Sequence, residues 1–233
     1  MAHGTWRSGS LMSTLSPAAE HDLLTAGVSV RHPPGKVLLR EGERSSHVSL
    51  LLSGYVKVTA GNSDGGVALL AIRGRGDLIG ELAALDGQPR SATAVAADTV
   101  RARVLSSAAF HEFLLRHPGA AEAVSRSVAA KLRWSTQRRI DFTGCPVRTR
   151  VVRVLLELAA DHGEPTAHGI GIGFPLTQPE LAALVGAAEP TVHKVLADLR
   201  RRGLADTGYR SVTILDQGSM RALVEPHSGR PRI

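Results

Sequence analysis

The sequence of residues 80–93 is GELAALDGQPRSAT, which combines a flexible turn, a short apolar run, an arginine and a hydroxyl. Gly80 allows the backbone to turn tightly and to approach a bound molecule closely. Residues 81–85 have the composition of a short helical turn, and the unpaired N–H groups at a helix start favour an anion. Arg90 supplies a cation that can bind two phosphate oxygens at once, and Ser91 adds a hydroxyl donor. The stretch therefore predicts a pocket for a phosphorylated ligand.

Glu81 does not fit a phosphate directly, because its carboxylate repels a second anion. We therefore expect Glu81 to accept hydrogen bonds from sugar hydroxyls. An alternative stays open at this point: Gly80 marks an ordinary turn, and Arg90 pairs with Glu81 or Asp86 at the surface. Short motifs match by chance, so the rest of the chain has to support one interpretation or the other.

The whole stretch resembles the phosphate-binding cassette of cyclic-nucleotide-binding domains. The resemblance rests on Gly-Glu-Leu, the nine-residue spacing from Glu81 to Arg90, and Pro-Arg-Ser-Ala-Thr at the end. More specifically, the chain is similar to the cyclic-AMP receptor protein/fumarate–nitrate regulator (Crp/Fnr) family of bacterial transcription factors. The resemblance implies that a cyclic phosphate and its ribose 2′-hydroxyl are held by Gly80, Glu81, Leu82, Arg90 and Ser91, with Glu81 binding the hydroxyl. It also implies cyclic AMP as allosteric effector, with cyclic GMP as an alternative.

Composition limits the class of protein. The 233 residues suffice for two modest domains, and a hydrophobic fraction of 43% is ordinary for a globular protein. The net charge of +7 favours an anionic partner such as nucleic acid, although most of the excess lies before residue 144. Cys145, the only cysteine, excludes an internal disulfide and Cys-rich zinc or iron–sulfur sites, and the histidines show no metal-site spacing. No apolar run is long enough to span a membrane, so we expect a cytoplasmic protein with no metal and no membrane contact.

Short β-rich runs separated by turns fill residues 31–105. The candidate strands are 37–39, 48–52, 55–59, 67–72, 92–96 and 100–105, with breaks at 34–35, 41–42, 53–54, 61–66 and 74–76. This pattern is typical of a sandwich or barrel, and it resembles the jelly-roll domain of the same family. We predict an α+β fold with a jelly-roll domain at 15–117. It should begin with a helix that Ser16 caps and that runs through residue 24, after a loosely ordered segment at 1–14.

Helix formers dominate after residue 106, and they predict one helix at 107–116 and a long dimerisation helix at 118–143. Residues at alternating four- and three-residue steps form a coiled-coil-like seam along the long helix. The seam consists of Ala121, Ser125, Val128, Leu132, Ser135, Arg139 and Phe142, and the predicted dimer contacts are Val128, Leu132, Arg139 and Phe142. Ser135 and Thr136 stand where the family places two hydroxyl residues that contact the adenine, although in reversed order. The alternative for this pair is two surface hydroxyls.

Gly144, Cys145 and Pro146 interrupt the helical pattern and mark a hinge between domains. An amphipathic helix is predicted at 147–162, followed by a polar, glycine-rich connection at 163–173. We predict a winged helix-turn-helix domain at 144–217 and a C-terminal tail at 218–233.

Residues 176–199 have the spacing of a helix-turn-helix. Thr177 and Glu180 form a capping box at the start of the first helix, and Gly186 supplies the turn. The second helix should pack inward through Val192, Val195, Leu196 and Leu199. Its outward residues near the N-terminus, where a recognition helix contacts base edges, are Glu189, Thr191, His193 and Lys194. The candidate DNA contacts also include Thr177 and Arg210. Arg210 lies on a predicted wing strand at 209–214.

This helix departs from the family pattern. The best-characterised member presents Arg, Glu and Arg where this chain has Glu189, Pro190 and Lys194. Losing an Arg–guanine pair removes about 1–3 kcal/mol of discrimination at that base, so the family's DNA sequence does not carry over. A small helical oligomerisation domain is the alternative interpretation of this region.

We predict a homodimeric, DNA-binding transcription regulator that is not an enzyme. Its expected partners are a cyclic nucleotide, a palindromic double-stranded DNA operator and RNA polymerase. One rival keeps the fold but is constitutive or responds to a different effector, with a vestigial pocket. An enzyme acting on nucleotides is disfavoured because the pocket offers no metal cluster and no nucleophile–base pair. A nucleotide-storage protein would have no use for a helix-turn-helix.

Overall fold

The computed structural model describes residues 6–61 and 66–224. The chain divides into two compact units between Gln137 and Arg138, inside a long helix. No helix in the described ranges is both long and apolar enough to cross a membrane. The same ranges contain no group of three His, Cys, Asp or Glu side chains that could hold a metal ion.

The first unit contains two four-stranded antiparallel sheets and flanking helices. Its strands are β1 (Val28–His32), β2 (Val37–Leu39), β3 (Val48–Ser53), β4 (Val56–Gly61), β5 (Val67–Arg73), β6 (Leu78–Ile79), β7 (Thr93–Ala96) and β8 (Val100–Leu105). Its helices are α1 (Pro17–Thr25), α2 (Glu81–Asp86), α3 (Ser107–Arg116) and α4 (Pro118–Gly144), and α4 continues into the second unit. The strand orders are β1-β8-β3-β6 and β2-β7-β4-β5. The predicted α+β class with an N-terminal β-domain is confirmed.

Strand β3 is buried on both faces because it lies between two parts of the core. Val48 and Leu50 pack with the apolar side chains of the helices, including Phe110 and Phe113 of α3. Leu51 points the other way, into a cluster to which both sheets contribute. The alternation of a strand therefore lets β3 join the helical layer to the space between the sheets.

All six predicted strands are present, with ends shifted by at most two residues. Strand β1, which pairs with β8, is missing from the prediction. It is an edge strand whose first residue, Val28, is exposed, so it lacks the apolar run that marks the other strands. The predicted break at 61–66 lies partly outside the described residues.

The prediction of a loosely ordered segment at 1–14 is wrong for the residues that the structure describes, which begin at Trp6. Leu11 and Met12 are buried in the core cluster beside α1 and α3. Trp6 Nε1 donates to Glu20 at 2.7 Å, and Arg7 forms an ion pair with Asp77 at 2.6 Å. The prediction followed the glycine and serine content of the segment and overlooked its two buried apolar residues, Leu11 and Met12. Residues 1–5 lie outside the described part of the chain.

The second unit is a small α+β domain. Its elements after α4 are α5 (Val147–His162), β9 (Gly163–Thr166), β10 (Gly169–Ile172), α6 (Gln178–Val185), α7 (Glu189–Arg201), β11 (Ala205–Gly208), β12 (Ser211–Ile214) and α8 (Gln217–Ala222). The strands form one antiparallel sheet in the order β11-β12-β10-β9. Helix α5 has the predicted bounds and buries the predicted face, which includes Val151 and Leu155.

Two C-terminal expectations need correction. The segment 163–173, predicted as a polar, glycine-rich connection, contains the β9–β10 hairpin, and Ile170 of that hairpin pairs with Ile214 of β12. Its glycines permit close packing, since a Cβ at Gly163 would overlap the carbonyl oxygen of Ala159. Part of the predicted tail is also ordered: α8 is capped by a side chain and buries Met220.

Candidate functional site

Gly80 forms the turn between β6 and α2 in the left-handed region, with φ +83°. A Cβ at this position would lie 2.7 Å from Nη1 of Arg90 and 2.9 Å from the carbonyl oxygen of His47. Both the backbone angle and the close approach therefore require glycine. The structure brings Gly80 and Arg90 into direct contact.

Arg90 is buried, with only 4% of its surface exposed. Its guanidinium donates from Nε to Ser45 Oγ at 3.0 Å, from Nη1 to the Gly80 carbonyl at 2.8 Å and from Nη2 to the His47 carbonyl at 2.6 Å. All three acceptors are neutral, and no ion pair joins Arg90 to a carboxylate within the described residues. Burial lowers the pKa of Arg90 below its ordinary value, while two nearby glutamate charges act in the opposite direction. An anionic ligand would supply the missing counter-charge.

Glu81 is also buried, and its partner is a lysine that the sequence analysis does not identify. Lys131 of α4 binds Glu81 Oε1 at 2.8 Å and donates to the carbonyl of Leu78 at 3.1 Å. The side chain of Lys131 remains 26% exposed, whereas that of Glu81 is 7% exposed. One signal for this residue exists in the sequence, because Lys131 lies one helical turn before Ser135 and shares its face. The ion pair connects the cassette to the long helix.

The remaining predicted ligand contacts lie at the surface. Ser91 is exposed, and Leu82 on α2 is 41% exposed. Ser135 and Thr136 on α4 are exposed as well, and neither side chain makes a hydrogen bond to another residue that the structure describes. The structure thus brings Gly80, Glu81 and Arg90 together and leaves the four other side chains open to solvent.

The predicted dimer contacts follow the outer side of α4. The inner side is buried in the first unit through Ala120, Ala123 and Val124. Val128 is half-buried, while Leu132 is 67% exposed. Further along, Arg139 and Phe142 are exposed. A row of apolar and polar residues on α4 is therefore available for contact with another molecule.

The helix-turn-helix is present as predicted. Thr177 accepts from the N–H of Glu180 at 3.3 Å, and Glu180 accepts from the N–H of Thr177 at 2.9 Å, which closes the capping box. Gly186 ends α6 in the left-handed region at φ +60°. Helix α7 buries Val192, Leu196 and Leu199, with Val195 half-buried, and the exposed residues of its first turns are Glu189, Thr191, His193 and Lys194.

The turn between α6 and α7 is held by side chains from the end of α4 and from α5. Arg138 donates to the carbonyl of Leu184, and Arg150 donates to the carbonyl of Gly186 at 3.1 Å. The ring of Phe142 lies against Gly186 and under the guanidinium of Arg150, 4.7 Å from the ring centroid. Burial lowers the pKa of Arg138 to about 10, against the opposing charges of two carboxylates. Sequence patterns do not reveal these contacts, because the acceptors are main-chain groups.

The wing differs from the prediction in one respect. Strand β12 begins at Ser211, so Tyr209 and Arg210 form the turn of the β11–β12 hairpin rather than a strand. Arg210 has a positive φ of 54°, and Tyr209 is 93% exposed. Arg210 is thereby presented at the tip of the hairpin.

Comparison with known proteins adds two family models to this geometry. A model described as the cyclic nucleotide-binding domain matches residues 29–117. A model described as the Crp-like helix-turn-helix domain matches residues 149–223. The two matches cover the β-domain with its cassette and the helix-turn-helix with its wing.

The chain is similar to known proteins over most of its length. The chain is 34% identical over 187 residues to a CRP-like cAMP-activated global transcriptional regulator of Mycobacterium tuberculosis, covering 80% of this chain and 84% of that one. It is 30% identical over 183 residues to the cyclic AMP receptor protein of Thermus thermophilus, covering 78% and 82%. A solved structure of a CRP-family transcriptional regulator from Thermus thermophilus superimposes with a TM-score of 0.70 at 28% identity, covering 84% and 97%. The chain therefore belongs to the Crp/Fnr family of transcription regulators, with a cyclic-nucleotide-binding domain followed by a Crp-like helix-turn-helix domain.

Proposed function

We propose that this protein is a homodimer whose affinity for a palindromic DNA operator is set by a bound cyclic nucleotide, with cyclic AMP as the favoured effector. The observation that carries the proposal is the buried guanidinium of Arg90, which has only neutral hydrogen-bond partners within the described chain. A buried charge without a counter-charge is unfavourable. A cyclic phosphate supplies that counter-charge, and Arg90 retains N–H groups to donate to it.

Glu81 accounts for the sugar. Its carboxylate belongs to the same cassette and accepts from Lys131 through Oε1, so it has remaining acceptor capacity for a ribose hydroxyl. Lys131 belongs to α4, which also carries Ser135 and Thr136. A ligand bound through Glu81 would therefore act on the helix that we propose contacts the base. Cyclic AMP is favoured over cyclic GMP by the likeness to relatives whose names state a response to cyclic AMP.

The dimer is proposed along α4. Leu132 leaves 67% of its surface exposed in a helix whose opposite side is already buried in the protein. Leu132, Val128, Arg139 and Phe142 recur with the spacing of a coiled-coil seam. Pairing two copies would remove the apolar part of this row from water and would place one Ser135–Thr136 pair on each side of the seam.

DNA binding is proposed for the exposed side of α7 and the hairpin tip. Glu189, Thr191, His193 and Lys194 lie in the first turns of α7, which is where a recognition helix contacts base edges. Thr177 at the start of α6 and Arg210 at the hairpin tip are suited to phosphate contacts. Two such helices in a dimer would enter successive major grooves of a palindromic site, and RNA polymerase in the cytoplasm is the expected further partner.

Regulation requires that the nucleotide prefer one state of the protein. A ligand shifts the equilibrium between states of high and low DNA affinity only by as much as it binds one of them better. A tenfold to hundredfold gain in operator affinity would need about 1.4–2.8 kcal/mol of coupling.

Calorimetric titration tests the proposal. The wild-type protein should bind cyclic AMP, and Arg90→Ala should abolish the binding while leaving the fold intact. Arg101→Ala is the matched control, because Arg101 is an exposed arginine of the same domain without a partner among the described residues. Operator selection from random DNA, run with and without cyclic AMP, then tests the regulation. Unchanged affinity in Arg90→Ala would remove the cassette from the proposal.

A second candidate keeps the fold but replaces the nucleotide by another effector or by none. The observation in its favour is the Lys131–Glu81 ion pair, which already satisfies one carboxylate oxygen inside the cassette. Lys131→Met separates the two candidates. If Glu81 binds the ribose, removing its lysine partner should change the affinity of the protein for cyclic AMP. If neither the wild type nor Lys131→Met binds cyclic AMP or cyclic GMP, the second candidate is preferred.

A further inference from the structure

The guanidinium of Arg90 has five N–H donors, and the protein itself uses three of them. Nε binds Ser45, Nη1 binds Gly80 and Nη2 binds His47. Within the described structure, this leaves one N–H on each terminal nitrogen. A phosphate can accept from those two donors. Their direction is set by the guanidinium plane, which the other three hydrogen bonds hold in place.

Only one of the three acceptors belongs to a side chain. Gly80 and His47 accept through their carbonyl oxygens, which are present whatever residue occupies the position. Ser45 accepts through its hydroxyl, and it holds Nε, the nitrogen nearest the flexible part of the arginine side chain. Ser45 is therefore the acceptor that a change of sequence can remove.

The loop that carries Ser45 is fixed to the arginine independently of the serine hydroxyl. The N–H of Gly42 donates to the Arg90 carbonyl at 2.9 Å, and the N–H of Arg90 donates to the Glu43 carbonyl at 3.0 Å. Nearby, the N–H of Glu41 donates to the hydroxyl of Thr93 at 3.1 Å. These main-chain bonds keep the loop in place when the Ser45 hydroxyl is lost, so substitution there should leave the backbone of the site unchanged.

We propose that Ser45 is a positioning residue that fixes the guanidinium of Arg90 for recognition of the phosphate group. This inference rests on the proposed function, because it assigns the two remaining donors of Arg90 to a cyclic phosphate. Without the Ser45 bond, the side chain of Arg90 gains rotational freedom about its last bonds. Phosphate binding then has to order it, which lowers affinity. Ser45 touches no ligand in this account and acts only through Arg90.

Competition binding on the full-length protein tests the inference by comparing two probes, cyclic AMP and adenosine, which lacks the phosphate. Ser45→Ala should weaken cyclic AMP about tenfold and leave the affinity for adenosine unchanged. Ser45→Thr, which keeps a hydroxyl, should restore cyclic AMP binding to within about threefold of wild type. Ser46→Ala is the control, since Ser46 is exposed and makes no described hydrogen bond. Equal loss for both probes would indicate a merely structural role and would overturn the proposal, as would unchanged cyclic AMP binding.

A second measurement needs no ligand. The Nε–H resonance of Arg90, assigned by its absence in Arg90→Lys, should exchange slowly with water in the wild type and rapidly in Ser45→Ala. Equal exchange rates in the two proteins would overturn the role of Ser45 even if nucleotide affinity changes. A wild-type protein that binds no cyclic nucleotide would instead overturn the proposed function, and with it the assignment of a phosphate to Arg90. The two failures are therefore distinguishable.

Discussion

Gly186→Ala should destabilise the second unit through two separate costs, a backbone cost and a collision. Gly186 has φ +60°, a left-handed conformation that costs alanine about 1–2 kcal/mol. A Cβ there would also overlap the ring of Phe142. The ring is 57% exposed and can move, but moving it breaks its contact with Arg150, which is a further loss of about 0.5–1 kcal/mol. The expected total is about 1.5–3 kcal/mol.

Urea unfolding followed by circular dichroism measures this cost, and two variants separate its parts. Gly203→Ala is the matched control, because Gly203 has φ +66° and a Cβ there would meet nothing within 4 Å. It should cost only the backbone term of about 1–2 kcal/mol. In a protein that already carries Phe142→Ala, the further change Gly186→Ala should also cost only the backbone term, because the ring that the Cβ would meet is absent. Gly186 forms the turn between α6 and α7, so operator binding should weaken more in Gly186→Ala than in Gly203→Ala.

Two results would refute this reasoning. In the first, Gly186→Ala costs no more than Gly203→Ala, which would mean that Phe142 does not pack against the turn. In the second, Gly186→Ala costs the same with and without Phe142, which would place the extra cost elsewhere. A double-mutant cycle isolates the interaction because the two residues are in direct contact.

Further predictions address the dimer, the DNA and the pH dependence. Val128→Asp combined with Leu132→Asp should dissociate the dimer by placing charges in the seam, and light scattering would show half the mass; an unchanged mass contradicts pairing along α4. Lys194→Ala should weaken operator binding by about 1–3 kcal/mol if it contacts a base, whereas Lys36→Ala in the other unit should not; a gel-shift titration without loss places recognition elsewhere. Burial, reinforced by the charge of Arg90, lowers the pKa of His47 below 6.5 in the folded protein. The unfolded chain therefore protonates His47 more readily, and the free energy of unfolding should fall as the pH decreases from 6.5 towards the lowered pKa. His47→Gln should reduce that fall, as measured by urea midpoints on either side of pH 6.5; an equal fall in both proteins assigns the effect to other groups.

Sequence patterns predict well those features that depend on contacts between residues close together in the chain. Ser16, Thr177 and Glu180 cap their helices through bonds to residues three positions away, and all of these caps are present. The bounds of α3 and α5 agree with prediction because their apolar periodicity and their terminal residues point to the same ends. The cassette is predictable for a similar reason, since its turn glycine and its arginine lie only ten residues apart.

Features that depend on distant partners are missed. The β9–β10 hairpin has no β-branched run, and β10 also pairs with the distant strand β12 through Ile170 and Gly171. The order of the N-terminal segment depends on a core to which α1 and α3 contribute. Lys131 could be assigned to Glu81 only after α4 is known to lie against the cassette. In each case tertiary contact outweighs a weak local preference.

The contacts of two arginines show why some features of the site cannot be predicted from sequence patterns. Arg90 and Arg138 each donate to a main-chain carbonyl of a distant segment, Arg90 to that of His47 and Arg138 to that of Leu184. Every residue has a carbonyl, so no residue type marks the acceptor. The same property gives each arginine its use. Because carbonyls orient a guanidinium without neutralising it, Arg90 keeps its charge for an anion, and Arg138 ties a helix end whose carbonyls would otherwise lack partners.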